Sequence, residues 1–210
     1  MADTEVTSLN ATDLSFPLPI YTAVQIGSMR GKDRDIFDIM AGLGKALVAQ
    51  VRAKSLDVAD VELQENTSDR KRFGEGSYEE WYGKSRTPFA LVHEATGALA
   101  ALVWFGPKPL GRKSLKYLSE EELRKEGQQK ETQWHTLVYR SYPPFRGKGL
   151  MGAFVRFAIQ KYRERYPDVK LWVGLNEANA ASVALATTLG FHKREDLVDA
   201  EARWFAMTQE

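Results

Sequence analysis

Apolar residues recur along the chain with two different spacings, and each spacing predicts a different kind of element. Between residues 34 and 54 the apolar side chains are three and four residues apart, which predicts one apolar face on a helix. They are Ile36, Ile39, Met40, Leu43, Leu47 and Val51. The runs 89–93 and 98–105 are instead almost continuously apolar and are separated by a short segment that ends at Gly97. Together these two runs predict a β-hairpin.

The second half of the chain predicts an alternation of strands and helices. Residues 134–141 predict a strand, and a glycine-rich turn over 146–152 leads into a helix that ends near Arg165. The other predicted elements are a strand over 169–174, a helix over 179–189 with Gly190 at its C-cap, and a strand over 203–207.

The segments 1–20, 64–87 and 107–132 lack a regular apolar pattern. Residues 1–20, with Pro17 and Pro19, predict an N-terminal extension. Residues 64–87 predict a loop or short helices, with a charged run at 70–72 that we interpret as a solvated face. That segment also carries the aromatic residues Tyr78, Trp81 and Tyr82, which either pack in the core or line a substrate pocket.

Residues 107–132 predict an insertion. Pro107 and Pro109 end the preceding strand, and the sequence Ser119-Glu120-Glu121-Glu122 resembles a helix N-cap and first turn. The segment is either solvated or shapes a substrate pocket. We therefore expect one domain over 21–210 that contains an insertion at 107–132.

Composition excludes several classes of protein. The chain has 210 residues, and its 29 basic and 28 acidic side chains leave a net charge of +1, which argues against a nucleic-acid or membrane-surface binder. The absence of cysteine excludes disulfides and thiolate nucleophiles. Only three histidines are present and they are far apart, so we expect no metal site. No signal sequence or membrane span is visible, which predicts a cytoplasmic protein.

The glycine-rich turn predicts an anion site. Gly147, Gly149 and Gly152 precede or open a helix, where backbone N–H groups converge and the helix dipole favours negative charge. A P-loop does not fit, because Tyr142 occupies its first glycine position and Gly149 its hydroxyl position. The dinucleotide fingerprint of nicotinamide oxidoreductases matches the three glycines literally. Only 58 residues follow Gly152, however, and these are too few for the rest of that fold.

Two motifs resemble those of the GNAT superfamily of acyl-CoA-dependent N-acyltransferases. Residues 145–150, Phe-Arg-Gly-Lys-Gly-Leu, resemble its pyrophosphate loop, although Met151 replaces the final small residue and Gly152 comes one place later. Residues 179–191, from Asn179 to Phe191, resemble its second motif. The two motifs stand in the right order and at the right separation, and the resemblance covers about residues 89–207.

The resemblance implies an α/β (α+β) GNAT fold, with a mixed central sheet that has splayed strands and is flanked by helices. It implies that acetyl-CoA or another acyl-CoA binds between strands 134–141 and 169–174. The pantetheine arm would pair with Tyr139 and Ser141 like an added strand. Asn179 would hydrogen-bond the pantetheine or help to close the gap between the splayed strands. The loop residues that would hold the pyrophosphate are Arg146, Gly147, Lys148, Gly149, Leu150, Met151 and Gly152.

The resemblance also implies direct attack of an amine on a thioester. The amine must be neutral, so a base is needed, and an N–H of the first splayed strand commonly stabilises the oxyanion. His135 is the first candidate for the base, and the alternative is a core or strand-face histidine that makes one hydrogen bond. Other, weaker candidates for contact with the reaction are Glu94, Asn176 and Glu177, which are more typical of surface or loop-cap positions.

One position departs from the family pattern. Ala186 stands where the usual tyrosine acid would be, and Tyr142 or Tyr139 either replaces that acid or packs in the core. The sequence thus predicts an N-acetyltransferase for a primary amine on a small molecule or a peptide. The alternative is a catalytically idle acyl-CoA-binding module. The resemblance also allows a homodimer, and the sequence does not identify the acceptor.

Overall fold

The computed structural model describes residues 5–9, 14–113 and 133–209. Within these ranges nine strands form one sheet in the order β1-β2-β3-β4-β5-β6-β7-β9-β8. The strands are β1 (Glu5–Ser8), β2 (Ala23–Arg30), β3 (Ile36–Gly42), β4 (Thr87–His93), β5 (Ala98–Pro107), β6 (Trp134–Ser141), β7 (Lys170–Asn176), β8 (His192–Asp199) and β9 (Trp204–Gln209).

Helices cover both faces of the sheet. They are α1 (Lys45–Leu56), α2 (Val61–Asn66), α3 (Tyr78–Tyr82), α4 (Met151–Arg165) and α5 (Ala180–Thr188), with a π-helical turn at Arg70–Gly74. One apolar core lies between the sheet and helices α4 and α5. A second core joins α1, α2, the π-helical turn and α3 to the opposite face. This mixed sheet flanked by helices confirms the predicted fold class.

The pairing between β6 and β7 positions the site. All the other neighbouring strands of the sheet pair antiparallel, whereas β6 and β7 pair parallel and only at Trp134–Lys170, His135–Leu171 and Thr136–Trp172. Beyond these residues β6 continues to Ser141 and β7 to Asn176 without pairing to each other, although β6 stays paired with β5 and β7 with β9. The two strands therefore diverge and leave a wedge in the middle of the sheet.

Several predicted elements are confirmed with small changes in their bounds. The hairpin is β4 and β5, and the strand, glycine-rich turn and helix of the second half are β6, the loop 142–150 and α4. The segment 64–87 contains short helices, and its aromatic residues Tyr78, Trp81 and Tyr82 are buried in the second core. The N-cap sequence predicted at 119–122 lies outside the described residues.

The helix predicted over 34–54 is wrong in its first half. Residues Ile36–Gly42 form β3, which pairs with β2 on one side and with β4 on the other. Phe37, Ile39 and Ala41 alternate along the strand and are fully buried. The helix begins only at Lys45. Both the helical spacing and the two-residue spacing are present in this stretch, and pairing on both edges selects the strand.

Both ends of the chain join the sheet. Within the predicted N-terminal extension, β1 pairs with β2, and Phe16 and Leu18 are buried in the first core. Strand β8 pairs with β9 and was not predicted, because its mostly exposed sequence is charged rather than apolar. In the described ranges, none of the helices has both the length and the hydropathy needed to span a membrane.

Candidate functional site

A cavity of about 580 Å³ occupies the wedge between β6 and β7. Residues 136–141 of β6 and 172–176 of β7 form two walls of the cavity, and the loop 145–152 forms one end. Residues 66–68 at the end of α2 and the start of α5 also contribute to the lining. The glycine-rich loop and the splayed strands therefore face one common space, as the sequence predicts.

Glycine is required in the loop for backbone reasons. Gly147 and Gly149 have φ angles of 80° and 75°, which lie in the left-handed region that other residues rarely adopt. A Cβ at Gly147 or at Gly152 would meet no other atom within 4 Å, so the loop lies against open space. The helix that starts at Met151 is 15 residues long, and its N-terminal dipole favours an anion here.

Arg146 is held by the protein itself. Its guanidinium donates to both carboxylate oxygens of Asp60 at 2.9 and 2.8 Å, and to the carbonyl of Ser141 at 3.0 Å. Burial alone would raise the pKa of Asp60. The hydrogen bonds from Arg146 and the N–H of Leu63 outweigh burial and hold that pKa below its usual range. Arg146 thus joins the loop, the end of β6 and the start of α2.

Lys148 forms ion pairs with two carboxylates, and Lys32, which is far from the loop in sequence, lies close to it in the structure. The ammonium of Lys148 lies 3.2 Å from Asp33 and 3.5 Å from Asp35. The ammonium of Lys32, in the turn between β2 and β3, would lie 3.6 Å from a Cβ placed on Gly149. No sequence motif relates this turn to the loop, so the position of Lys32 beside Gly149 could not be predicted from the sequence.

The free edge of β6 faces the cavity. The N–H of Tyr142 donates to the carbonyl of Ala100 on β5 at 2.9 Å. Because backbone groups alternate along a strand, the odd-numbered residues of β6 direct theirs away from β5 and toward β7. Where β7 has diverged, the N–H and C=O groups of Leu137, Tyr139 and Ser141 therefore border the wedge. Within the described residues, the carbonyl of Tyr139 accepts from Arg140 at 2.8 Å.

The side chain of Tyr139 connects this edge to α5, and Asn179 caps the same helix beside it. The hydroxyl of Tyr139 donates to the carbonyl of Ser182 at 2.8 Å, and burial raises the pKa of Tyr139. The carboxamide of Asn179 accepts from the N–H of Ser182 at 3.0 Å and caps α5. Both Tyr139 and Asn179 line the cavity, so the structure brings these two predicted residues together with the loop.

His135 does not line the cavity. It lies where β6 and β7 are still paired, with Nδ1 2.5 Å from the hydroxyl of Tyr162 and the ring against Tyr166. Burial, with a smaller contribution from the charge of Arg86, lowers the pKa of His135 to about 4. The geometry therefore favours a packing role for His135 over the predicted role as a base.

Tyr142 is also absent from the cavity lining. Its side chain is fully buried in the second core, where its hydroxyl has no hydrogen-bond partner among the described residues. Burial raises the pKa of this hydroxyl far above its usual value. A tyrosine that solvent does not reach is a poor proton donor to a ligand, so the geometry disfavours the predicted acid role.

Of the remaining residues that the sequence suggested, only Asn176 lies at the cavity. Asn176 lines the cavity and its carboxamide oxygen accepts from the N–H of Ala178 at 2.9 Å. Glu177 and Glu94 are exposed and do not line the cavity. Ala186 is buried, in contact with the first core. In the part of the chain that the structure describes, no cluster of three acidic or histidine side chains could hold a metal ion.

A cluster of three charged side chains, Asp69, Arg72 and Arg140, lies at the cavity and is not indicated by any sequence pattern. Asp69 is fully buried and is bound by Arg72 and Arg140, both of which line the cavity. The interpretation of 70–72 as a solvated face is therefore wrong for Arg72. Asp69 and Arg140 are 71 positions apart, so no local spacing could have indicated this contact.

Comparisons with known proteins agree with this geometry. The family model described as "Acetyltransferase (GNAT) family" matches residues 56–191. No curated protein matches the chain significantly.

Among solved structures, the GNAT domain of S. lividans PAT is 11% identical, with a TM-score of 0.59 over 87% of this chain and 94% of that one. An acetyltransferase from Agrobacterium tumefaciens is 13% identical, with a TM-score of 0.56 over 96% and 99%. A ribosomal L7/L12 alpha-N-protein acetyltransferase in complex with coenzyme A is 13% identical, with a TM-score of 0.55 over 81% and 93%.

Proposed function

The chain belongs to the acetyltransferase (GNAT) family, and from that premise we propose that it transfers an acyl group, acetyl in the simplest case, from acyl-CoA to a primary amine. The observation that carries the proposal is the cavity between the diverging strands β6 and β7, which ends at the glycine-rich loop. The family model covers about two thirds of the chain, from 56 to 191, and includes both features.

The residues of the loop fit a pyrophosphate. The left-handed glycines Gly147 and Gly149 and the N-terminus of α4 present N–H groups without intervening side chains. Arg146 and Lys148 are paired with carboxylates, so we assign the loop N–H groups, rather than these two side chains, as the main donors to the phosphates. Arg146 instead keeps the loop in place through Asp60.

The free edge of β6 fits the extended arm of the coenzyme. When bound, acyl-CoA supplies an activated thioester. The backbone N–H groups of Tyr139 and Ser141 would donate to the pantetheine amide carbonyls as a neighbouring strand does, because the carbonyls of these two residues already accept from Arg140 and Arg146. A backbone N–H on the same edge, near Leu137, would donate to the carbonyl oxygen on which negative charge develops.

The described lining residues include no histidine and a single carboxylate, Glu62, which lies 3.1 Å from Arg146. We therefore assign amine deprotonation to solvent rather than to a dedicated side chain. A free amine has a pKa of about 10.4, so only a small neutral fraction is present at neutral pH. The observed rate should then rise with pH in proportion to that fraction.

The proposal is tested by titrating CoA into the protein in a calorimeter and by measuring thiol release from acetyl-CoA over a panel of primary amines. Gly149→Glu places a negative charge at the loop and should weaken CoA binding by about 100-fold. Gly97→Glu is the matched control: Gly97 also has a positive φ, of 66°, but lies in the β4–β5 hairpin turn outside the cavity. Equal affinity of both variants for CoA would overturn the proposal.

A second candidate function is an acyl-CoA-binding module without turnover. It is favoured by Ala186, which replaces the usual tyrosine, and by the absence of His135 and Tyr142 from the described lining of the cavity. Binding of CoA without thiol release over the whole amine panel would support this candidate. Thiol release that depends on both the amine and the loop would exclude it.

A further inference from the structure

Two arginines bind carbonyl groups on the free edge of β6. Nη1 of Arg140 donates to the carbonyl oxygen of Tyr139 at 2.8 Å. Nη2 and Nε of Arg146 donate to the carbonyl oxygen of Ser141 at 3.0 and 3.3 Å. Both carbonyls border the wedge, beyond Thr136, the last residue of β6 that pairs with β7. Within the described residues, both backbone acceptors of this stretch are therefore already engaged.

Each of these arginines is held by an aspartate that is almost fully buried. The carboxylate of Asp69 accepts from Nε and Nη2 of Arg140 at 2.6 and 3.1 Å. The carboxylate of Asp60 accepts from Nη1 and Nη2 of Arg146 at 2.9 and 2.8 Å. The side chains of Asp69 and Asp60 are 0% and 5% exposed. Because a bidentate contact fixes the plane of a guanidinium group, the remaining N–H groups of each arginine are directed at one carbonyl.

Further contacts fix the pair of Asp69 and Arg140 against the second core. Asp69 also accepts from Arg72 at 2.5 Å, and the guanidinium carbon of Arg140 lies 5.2 Å from the centre of the Trp104 ring. Burial would raise the pKa of Asp69, but the charges of Arg140 and Arg72 and their hydrogen bonds outweigh burial and lower it. The carboxylate is therefore ionised, and the charge of Arg140 is used within the protein to keep this arginine in place.

The bound guanidinium groups change what this edge offers to a ligand. A residue whose backbone faces an open strand edge normally presents one donor and one acceptor. At Ser141, the two N–H groups of Arg146 match the two lone pairs of the carbonyl oxygen. At Tyr139, the positive charge of Arg140 repels the positive end of a second N–H dipole. The two residues therefore present N–H donors to the wedge and no open carbonyl.

We propose that the two buried aspartates make the free edge of β6 donor-only, so that the site recognises the carbonyl oxygens of the pantetheine amides and does not depend on their N–H groups. Asp69 and Asp60 are then positioning residues, which act through the arginines that they hold. The inference rests on the proposed acyltransferase function and adds to it the atoms by which the coenzyme arm is selected.

The order of groups along the edge assigns each pantetheine amide to one residue. The pyrophosphate would lie on the glycine-rich loop, which follows Ser141, and the thioester would lie near Leu137 at the other end. The amide nearer the phosphates would therefore accept from the N–H of Ser141, and the amide nearer the thioester from the N–H of Tyr139. The two amides thus report separately on Arg146 and on Arg140.

Calorimetric titration of the full chain with analogues of CoA tests the inference. In one set, an ester oxygen replaces the N–H of either amide, which removes the donor and keeps the carbonyl. In the other set, a trans-alkene replaces either amide, which removes both groups and keeps the extended shape. We expect the ester analogues to bind within about 3-fold of CoA and the alkene analogues about 10-fold more weakly, a ratio typical of one hydrogen bond.

Two results would overturn the inference. An ester analogue that binds as weakly as the matching alkene would show that the N–H of the pantetheine amide is recognised. Alkene analogues that bind as tightly as CoA would show that the carbonyl oxygens are not recognised. The proposed function would survive either result, because it fails only if CoA itself does not bind or no amine releases thiol.

Variants separate the positioning role from folding. Arg140→Met opens the carbonyl of Tyr139, so the N–H of the amide nearer the thioester gains a partner. The preference for CoA over the ester analogue at this amide should then rise by about 5-fold, with no change at the other amide. Asp69→Asn should act in the same direction, because it releases Arg140. Arg52→Gln, at an exposed position of α1, is the control and should change neither preference.

The preference is a ratio of two affinities measured on the same folded variant, so a lower Tm alone does not change it. A folded Arg140→Met protein with an unchanged preference at both amides would make the pair of Asp69 and Arg140 purely structural and contradict the inference. If neither variant folds, the analogue series on the unsubstituted chain decides between the two outcomes.

Discussion

At the scale of single residues, a site residue could be predicted from the sequence when it acts through its own backbone conformation, and not when it acts through a partner far away in the chain. Gly147 and Gly149 could be located from the sequence because only glycine readily adopts their positive φ. Asp69 and Arg140 could not be located, because their contact joins positions 71 apart in the chain. His135 was predicted to be a base from its residue type and strand, and neither of these reveals which end of the wedge it occupies.

His135 provides a pH-dependent test of its packing role. Its pKa is lowered from 6.5 to about 4, so its contribution to stability is complete above pH 6.5 and is lost as the pH falls toward 4. His135→Gln should remove this contribution. The loss in free energy of unfolding between pH 6.5 and pH 4 should then be smaller by about 2 kcal/mol than in the unsubstituted protein. Chemical denaturation at a series of pH values measures it.

Exposed His192 provides the control for the substitution itself, and His192→Gln should leave the free energy of unfolding at pH 7 nearly unchanged. Thiol release separates the two roles of His135. If folded His135→Gln protein loses turnover but binds CoA normally, His135 acts as the base that the sequence predicts.

Lys32 gives a second residue-scale prediction. Asp33 and Asp35 pair with Lys148, and Asp60 pairs with Arg146, so the charge of Lys32 adds to the potential at Gly149. Lys32→Gln should weaken CoA binding about 3-fold at low ionic strength, a magnitude typical of one exposed charge, and less at high salt. Calorimetric titration measures this, with the exposed Lys84→Gln as control. An unchanged Kd at low salt would show that Lys32 does not contact the ligand.

At the scale of elements, the predicted helices and strands are correct where an apolar pattern and a turn or cap residue indicate the same element. They are wrong or missing where apolar spacing alone was available. The hairpin β4–β5 combined apolar runs with a glycine turn, and α4 combined helical spacing with a glycine-rich start. Strand β3 carries helical spacing but lies between two other strands, which a local pattern does not reveal. Strand β8 has no apolar pattern, because it forms an edge of the sheet and is mostly exposed.

The contact between α2 and the loop gives a prediction about elements. Asp60 accepts from the N–H of Leu63 at the start of α2 and from Arg146 in the loop, so it joins the two. Asp60→Asn retains the helix cap but removes the charge opposite Arg146. We expect the free energy of unfolding to fall by about 1–3 kcal/mol and CoA binding to weaken several-fold, as the loop loses its support.

Glu62→Gln is the matched control for that change, because Glu62 also lies near Arg146, at 3.1 Å, but its side chain is 56% exposed. Its effect on stability should be below about 1 kcal/mol. If Asp60→Asn and Glu62→Gln have equal effects on CoA affinity, the bidentate contact does not support the loop.

At the scale of the whole molecule, one parallel pair in an otherwise antiparallel sheet creates the site. The sequence predicted a mixed sheet with splayed strands through a family resemblance, and the structure confirms that fold. The composition could not predict which charged side chains line the cavity, because a net charge of +1 says nothing about where individual charges lie in the fold. The lining is fixed only when distant segments such as 66–72 and 136–141 come together.

The central claim is that CoA occupies the wedge between β6 and β7 with its pyrophosphate on the glycine-rich loop. A crystal structure of the full chain with CoA tests it most directly. We expect pyrophosphate oxygens within about 3 Å of the N–H groups of residues 147–152, and pantetheine amides paired with the free edge of β6 at Tyr139. CoA bound outside the wedge, or a wedge left empty at saturating CoA, would contradict the account.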